Sequence, residues 1–327
     1  MEQESVVLYG RGAAHLGMWK ENRATVSNFA NGEIMVDIDG SIREKNVILV
    51  QSFRFSSLES TGSDIFSTDG LGVNDLWIET LLLCDAIRRG GAARLTLICP
   101  FMPYTRQDRQ HHPGVPLSAR VFCDTIAKSV DRFITFDLHA DQIQGFMSNT
   151  LFDHLSLLPY LSRYVHELIG DNTDNICMCS TDAGAAARTR RMGAYLGVNR
   201  LAMISKVRDR PNSVESGQLV GDVSGCTVLL IDDMIDTGGS LVNAHNLLTQ
   251  HGAKRIIVSA VHGILSGNAV ERLSVFDNVI FSNTLSIQTT MPNSMRCVCI
   301  RDFLGALIHR VDRNKSLGTL MDPQEWI

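Results

Sequence analysis

The chain has 327 residues, room for about two domains at roughly 150 residues each and for two sizeable apolar cores. With 44% hydrophobic residues, 20% charged residues and a net charge of −5, it has a globular composition, which excludes a disordered or fibrous chain and one built to coat nucleic acid or an anionic membrane. No apolar run approaches the roughly 20 residues that span a bilayer, residues 1–5 are polar and acidic, unlike a signal or transit peptide, and residues 325–327 carry no sorting address, so a cytoplasmic protein with no membrane or nucleic-acid partner is expected.

From the N-terminus, short β-rich runs are predicted at 6–9, 34–38, 47–51, 95–99, 133–137, 176–180, 201–206, 228–232, 256–261, 279–281 and 297–300. Between them, helical periodicity covers 75–89, 117–129, 183–196 and 240–251. Such alternation implies βαβ units and mainly parallel sheets flanked by helices. The run Gly91-Ala-Ala-Arg-Leu-Thr-Leu returns 161 residues later as Gly252-Ala-Lys-Arg-Ile-Ile-Val, close to half the chain length. The strand ending at Gln51 lines up with the one ending at Asp232, but 181 residues apart. A duplicated domain is therefore expected, 1–155 and 156–327, with about 20 extra residues in the first copy. The excess falls in 52–70, which holds six serines and is read as an exposed loop.

The eight cysteines stand at 84, 99, 123, 177, 179, 226, 297 and 299, none in Cys-x-x-Cys spacing. Cys177/Cys179 and Cys297/Cys299 are two apart in apolar runs, so each pair is expected on one strand face, as buried reduced thiols. Gly10-Arg-Gly follows a strand like the start of a dinucleotide fingerprint, but the third glycine is missing. No Walker A sequence is present, so a nucleotide is not expected on a P-loop.

The sharpest signal is Val228-Leu-Leu-Ile-Asp-Asp-Met-Ile-Asp-Thr-Gly-Gly-Ser240. An apolar strand ends in Asp232 and Asp233, turns through Asp236, Thr237, Gly238 and Gly239, and opens a helix at Ser240. The carboxyl end of a parallel strand is where open α/β sheets bind ligands. The glycines permit close backbone approach, and the first N–H groups of the helix suit a phosphate. Carboxylates beside an anion site suit a sugar phosphate, since they accept hydrogen bonds from ribose hydroxyls or hold Mg²⁺. The plainer alternative is an acidic turn that caps a helix.

This stretch resembles the phosphoribosyl-diphosphate motif of the type I phosphoribosyltransferase fold. The blocks Tyr104-Thr-Arg-Gln-Asp-Arg109 and Phe136-Asp-Leu-His-Ala-Asp-Gln-Ile-Gln-Gly-Phe146 resemble signatures of the ribose-phosphate pyrophosphokinase family, and similarity continues through Phe29-Ala-Asn-Gly-Glu-Ile, Lys206-Val-Arg-Asp-Arg-Pro-Asn and Ala306-Leu-Ile-His-Arg-Val-Asp. The resemblance implies two phosphoribosyltransferase-like domains of α/β class, the last helix being free to pack on the first domain. It also implies diphosphoryl transfer from Mg-ATP to ribose 5-phosphate. Arg106, Gln107, Glu33 and Asn31 would then meet ATP. Asp232, Asp233 and Asp236 through Ser240 would hold ribose 5-phosphate, while His139 and Asp182 would serve Mg²⁺. Lys206 and Arg208, in a polar loop at 206–218, would stabilise the transition state. A homo-oligomer built from dimers, up to a hexamer, is implied as well. By position alone, Asp182 is a helix N-cap, His139 a hydrogen-bonding residue and Lys206/Arg208 a solvated pair. Two other readings stay open: a non-catalytic regulatory homologue that binds an active synthetase, and a base-specific phosphoribosyltransferase. The sequence departs from the family pattern with Asn31 in place of Asp, Val207 in place of Arg and Ser240 in place of Thr. Loop 110–115 also lacks the arginines with which regulated members sense phosphate and ADP.

Overall fold

The computed structural model describes residues 5–17, 22–53, 71–207, 216–287 and 289–326. They fall into two compact units, Met1–Ser156 with Thr284–Ser286 and Ile300–Gly318, and Leu157–Asn283 with Ile287–Cys299 and Thr319–Ile327. No described helix is long and apolar enough to cross a membrane.

The first unit contains β1 (Val6–Tyr9), β2 (Ala24–Asn28), β3 (Ile34–Ile38), β4 (Asn46–Val50), α1 (Val73–Arg89), β5 (Arg94–Cys99), α2 (Ser118–Ile126), β6 (Arg132–Phe136) and β7 (Leu151–Leu155). Five strands form a parallel sheet in the order β1-β4-β5-β6-β7. Strands β4, β5 and β6 are buried from their second residue onward, as expected of strands covered on both faces. Helix α1 turns Leu76, Thr80, Leu83, Cys84 and Ile87 inward at three- and four-residue spacing. Two expectations need correction. The run at 34–38 lies outside the parallel sheet: β3 pairs antiparallel with β2 in a hairpin whose turn uses Gly32 at φ +91°. Strand β7 was not expected at all, because Asp153 and His154 break its apolar pattern.

The Gly10-Arg-Gly turn serves packing. A Cβ on Gly10 would lie 2.4 Å from the Gln51 amide, and one on Gly12 1.9 Å from the Ser52 carbonyl. Between them, the Arg11 N–H and Nε donate to the buried Glu79 carboxylate at 2.7 and 2.6 Å, and the Gln51 amide joins at 3.0 Å. The glycines are required because the segment leaving β4, Gln51 and Ser52, passes so close.

The second unit contains α3 (Leu158–Ile169), β8 (Ile176–Ser180), α4 (Ala186–Leu196), β9 (Leu201–Val207), β10 (Ser216–Val220), β11 (Thr227–Ile235), α5 (Gly239–Gln250), β12 (Arg255–Gly263), α6 (Ala269–Arg272), β13 (Asn278–Ser282) and β14 (Met295–Val298). Its seven strands run β10-β9-β8-β11-β12-β13-β14, parallel except for β10 against β9. The final helix, α7 (Arg301–Asp312), belongs to the first unit. The polar stretch at 206–218 is not all loop: its two ends are the antiparallel strands β9 and β10, and residues 208–215 lie outside the described residues. Likewise residues 54–70 of the expected exposed loop lie outside them, while Ser52 and Phe53 are buried.

The repeated heptapeptide forms the same corner twice. Gly91 and Gly252 adopt φ +80° and +84° just after α1 and α5. Their carbonyls accept the N–H of Glu44 and Gly225 at 2.7 and 2.8 Å. Two residues on, the N–H groups of Ala93 and Lys254 donate to Lys45 and Cys226 at 2.9 Å. The N–H groups of Leu95 and Ile256 then meet the carboxylates of Asp131 and Asp277 at 2.7 and 2.8 Å.

The cysteines are unpaired thiols, and six are buried. Burial pushes the Cys84, Cys123 and Cys179 thiols up to about 12. Two depart from the expected burial: Cys297 in β14 is half-buried, and Cys299 is exposed because β14 ends at Val298 and leaves it past the strand.

Candidate active site

In the second unit, β11 does not stop at Asp232. Its parallel pairing continues because β12 runs on to Gly263, matching Asp232 with Ala260 and Ile235 with Gly263. Asp232 and Asp233 are therefore strand residues, held by a ladder, and only Asp236 to Gly238 form the turn. Asp233 is 4% exposed. A carboxylate so buried needs compensation, and the Arg188 guanidinium lies 3.4 Å from it and 3.9 Å from Asp232. Asp232 accepts the Thr181 hydroxyl at 3.0 Å and the Asp233 N–H at 2.9 Å. Burial first, then the neighbouring charge of Asp233, pushes the Asp232 carboxyl up to about 7.

Gly238 precedes α5 in the left-handed region, φ +74°, and a Cβ there would meet the Leu273 side chain at 3.4 Å. No side chain caps α5, so the N–H groups of its first turn are available to an anion. Arg272, the last residue of α6, donates to the Thr237 carbonyl at 3.2 Å and fixes the turn from behind. Thr237 and Ser240 are exposed. A cleft of about 240 Å³ adjoins the turn, lined by Thr181, Ile204, Gly217, Ser240, Asn243 and Leu247 among others. Asp182 follows β8, and its carboxylate accepts the Ala185 N–H at 3.0 Å; because α4 begins only at Ala186 with Ala185 as its N-cap, Asp182 closes the preceding turn and is not the helix N-cap that its position suggests. Lys206 stands in β9 opposite Gly217. Arg208 lies outside the described residues.

In the first unit, Asn31 and Glu33 occupy the β2–β3 turn, both exposed. The Asn31 amide donates to the Glu33 carboxylate at 2.9 Å and its oxygen accepts the Glu33 N–H at 3.1 Å. Asn at 31 therefore holds Glu33 with a donor that Asp lacks. Arg106 and Gln107 lie in the exposed turn after β5. The Gln107 side chain bonds the Ser118 hydroxyl, and its carbonyl accepts the Ala119 N–H at 3.2 Å, docking this turn on the start of α2.

His139 is exposed just beyond β6. The end of β7 shapes its turn. Asp137, at φ +35°, donates its N–H to Leu155 O at 2.9 Å and accepts the Ser156 hydroxyl at 2.7 Å. The Leu138 N–H donates to His154 Nε2 at 2.9 Å. The Gln142 amide reaches Asp108 at 2.5 Å and brings the His139 segment beside the Arg106 turn. Thr181, Arg188, Arg272 and His154 were not singled out from the sequence. Each acts through another group, so none carries a motif.

Among the described residues no three His, Cys, Asp or Glu side chains cluster into a metal cage. His139 in the first unit and Asp182 in the second are the candidate donors. That donor set fits Mg²⁺ carried on substrate phosphates, which takes few protein ligands and keeps waters that an imidazole can hold.

The chain is similar to known proteins over most of its length. The family model for the N-terminal domain of ribose phosphate pyrophosphokinase matches residues 10–129, and that for the phosphoribosyl synthetase-associated domain matches residues 187–322. The ribose-phosphate pyrophosphokinase of Corynebacterium glutamicum is 36% identical over 91% of this chain and 87% of its own length. The one from Aquifex aeolicus is 36% identical over 94% and 93%. A crystal structure of phosphoribosylpyrophosphate synthetase from Mycobacterium smegmatis superposes with a TM-score of 0.82 at 34% identity, covering 95% of this chain and 100% of that one. With two domain models and such relatives matched along nearly all of it, the chain belongs to the ribose-phosphate pyrophosphokinase family and is an enzyme of that family.

Proposed function

We propose that the enzyme transfers the β,γ-diphosphoryl group of Mg-ATP to the 1-hydroxyl of ribose 5-phosphate. The hydroxyl oxygen bonds to the β-phosphorus, the bond from that phosphorus to the α–β bridging oxygen breaks, AMP leaves and the hydroxyl proton passes to solvent. The observation that carries this reading is the β11–α5 connection, where carboxylates held in a strand precede a left-handed glycine and an uncapped helix start. Asp236 to Ser240 would take the 5-phosphate, and Asp232 with Asp233 the ribose hydroxyls. Arg106, Gln107, Asn31 and Glu33 would hold the nucleotide. Lys206 and Arg208 would meet the charge that develops on the moving phosphoryl oxygens.

One Mg²⁺ near His139 would neutralise phosphate charge, and another near Asp182 would hold the sugar hydroxyls. No general base stands out, so positioning and charge supply most of the rate. The domain division at 155/156 and a dimer-based homo-oligomer are part of the same proposal, as is turnover without added phosphate, given a 110–115 loop that lacks arginines.

The test is AMP release that depends on ribose 5-phosphate. Release only when ribose 5-phosphate and Mg-ATP are both present supports the reading. No release would instead mark a regulatory homologue, and a requirement for a purine or pyrimidine base a phosphoribosyltransferase.

A further inference from the structure

Arg188 is the third residue of α4, inside the first turn, where the partial positive charge of a helix N-terminus disfavours a cation. Its neighbours Arg190 and Arg191 are exposed, whereas the Arg188 side chain is 12% exposed. Turning a long guanidinium side chain inward gives up rotamer freedom and hydration. The compensation is the pair of carboxylates at 3.4 and 3.9 Å. These two like charges are adjacent in the chain and poorly hydrated, so without a fixed cation they would repel each other or take up a proton. Arg keeps its charge at any working pH. The hold is two-sided, because Thr181 binds the other oxygen of Asp232 while Arg188 faces Oδ1.

We propose that Arg188 is a positioning residue of this site, its guanidinium spanning Asp232 and Asp233 so that both carboxyl groups are held and oriented towards the hydroxyls of a pentose phosphate. The proposal deepens the function given above and rests on its assignment of the two aspartates to the sugar.

Four proteins test it: Arg188→Gln, Arg188→Lys, Asp232→Asn and the Asp232→Asn/Arg188→Gln double variant. Arg188→Gln should raise KM for ribose 5-phosphate about tenfold or more, the effect of losing one charge-assisted contact, while KM for ATP stays within about twofold. Arg188→Lys should recover part of the loss. The double variant should be no worse than Asp232→Asn alone, since removing one carboxylate removes the repulsion that Arg188 offsets. A general packing defect would instead move both KM values and kcat together. Unchanged kinetics in Arg188→Gln, equal loss for both substrates, or additive losses in the double variant would overturn the proposal. Should the wild-type enzyme release no AMP in response to ribose 5-phosphate, the functional reading fails separately. The tie to the carboxylates is then read from melting temperatures, where Arg188→Gln should lose about 3 °C or more and the double variant recover most of it. Additive melting losses would overturn the tie as well.

Discussion

The Thr181 hydroxyl donates to the Asp232 carboxylate at 3.0 Å and joins the end of β8 to β11 beside the candidate sugar site. The bond acts on a carboxyl already pushed up to about 7 by burial and by Asp233. A raised carboxyl binds more protons folded than unfolded between about pH 4 and 7, so its contribution to stability falls as pH rises through that window. Asp232→Asn should therefore stabilise the protein relative to wild type at pH 8, with the difference shrinking towards pH 4. Melting curves across that range check the sign. The kcat/KM of the wild type for ribose 5-phosphate should climb through about pH 7 as Asp232 ionises.

Gly238 is the joint of the turn. Gly238→Ala places a Cβ in the left-handed region, at a cost of about 1–2 kcal/mol, and 3.4 Å from Leu273. A lower melting temperature and weaker ribose 5-phosphate binding are expected, with KM for ATP little changed. Steady-state kinetics with each substrate varied in turn will show whether the loss is confined to the sugar.

For Lys206, the expected signature is in turnover. Lys206→Ala should lower kcat by about 10²–10³, as for removal of one preorganised transition-state donor, with both KM values held. Near-normal turnover would remove Lys206 from the mechanism.

Glu79 tests the scaffold. Its carboxylate is fully buried and receives Arg11 twice and Gln51 once. Glu79→Ala leaves the Arg11 guanidinium without its buried partner and should cost about 3–5 kcal/mol. Glu79→Gln keeps an acceptor and should cost less. Denaturant unfolding of the two variants ranks them.

Much of this architecture is legible in the sequence because strands buried on both faces read as largely apolar runs, as at Leu95–Cys99 within β5 and Ile256–Val261 within β12, broken only by Thr96 and Ser259. Strands that face a polar segment are not: Ser216–Val220 and Leu151–Leu155 carry Gln218, Asp153 and His154, and local composition hides them. At the site, the Asp232–Ser240 turn is visible because its residue types are themselves the chemistry. Arg188 is hidden by a boundary. The expected start of α4 at 183 puts Arg188 in the second turn, and only the observed start at Ala186 exposes a cation where the helix resists one. The same holds for the extension of β11 to Ile235, which depends on the length of β12 and not on β11 itself.

The paired corners at Gly91 and Gly252 lie where β5 and β12 begin, whereas the candidate site residues after β6, β8 and β11 sit where strands end. Each half is thus jointed along one rim of its sheet and free to vary along the other. A substitution on the ligand-facing rim of either half therefore leaves untouched the seam that keeps that half folded.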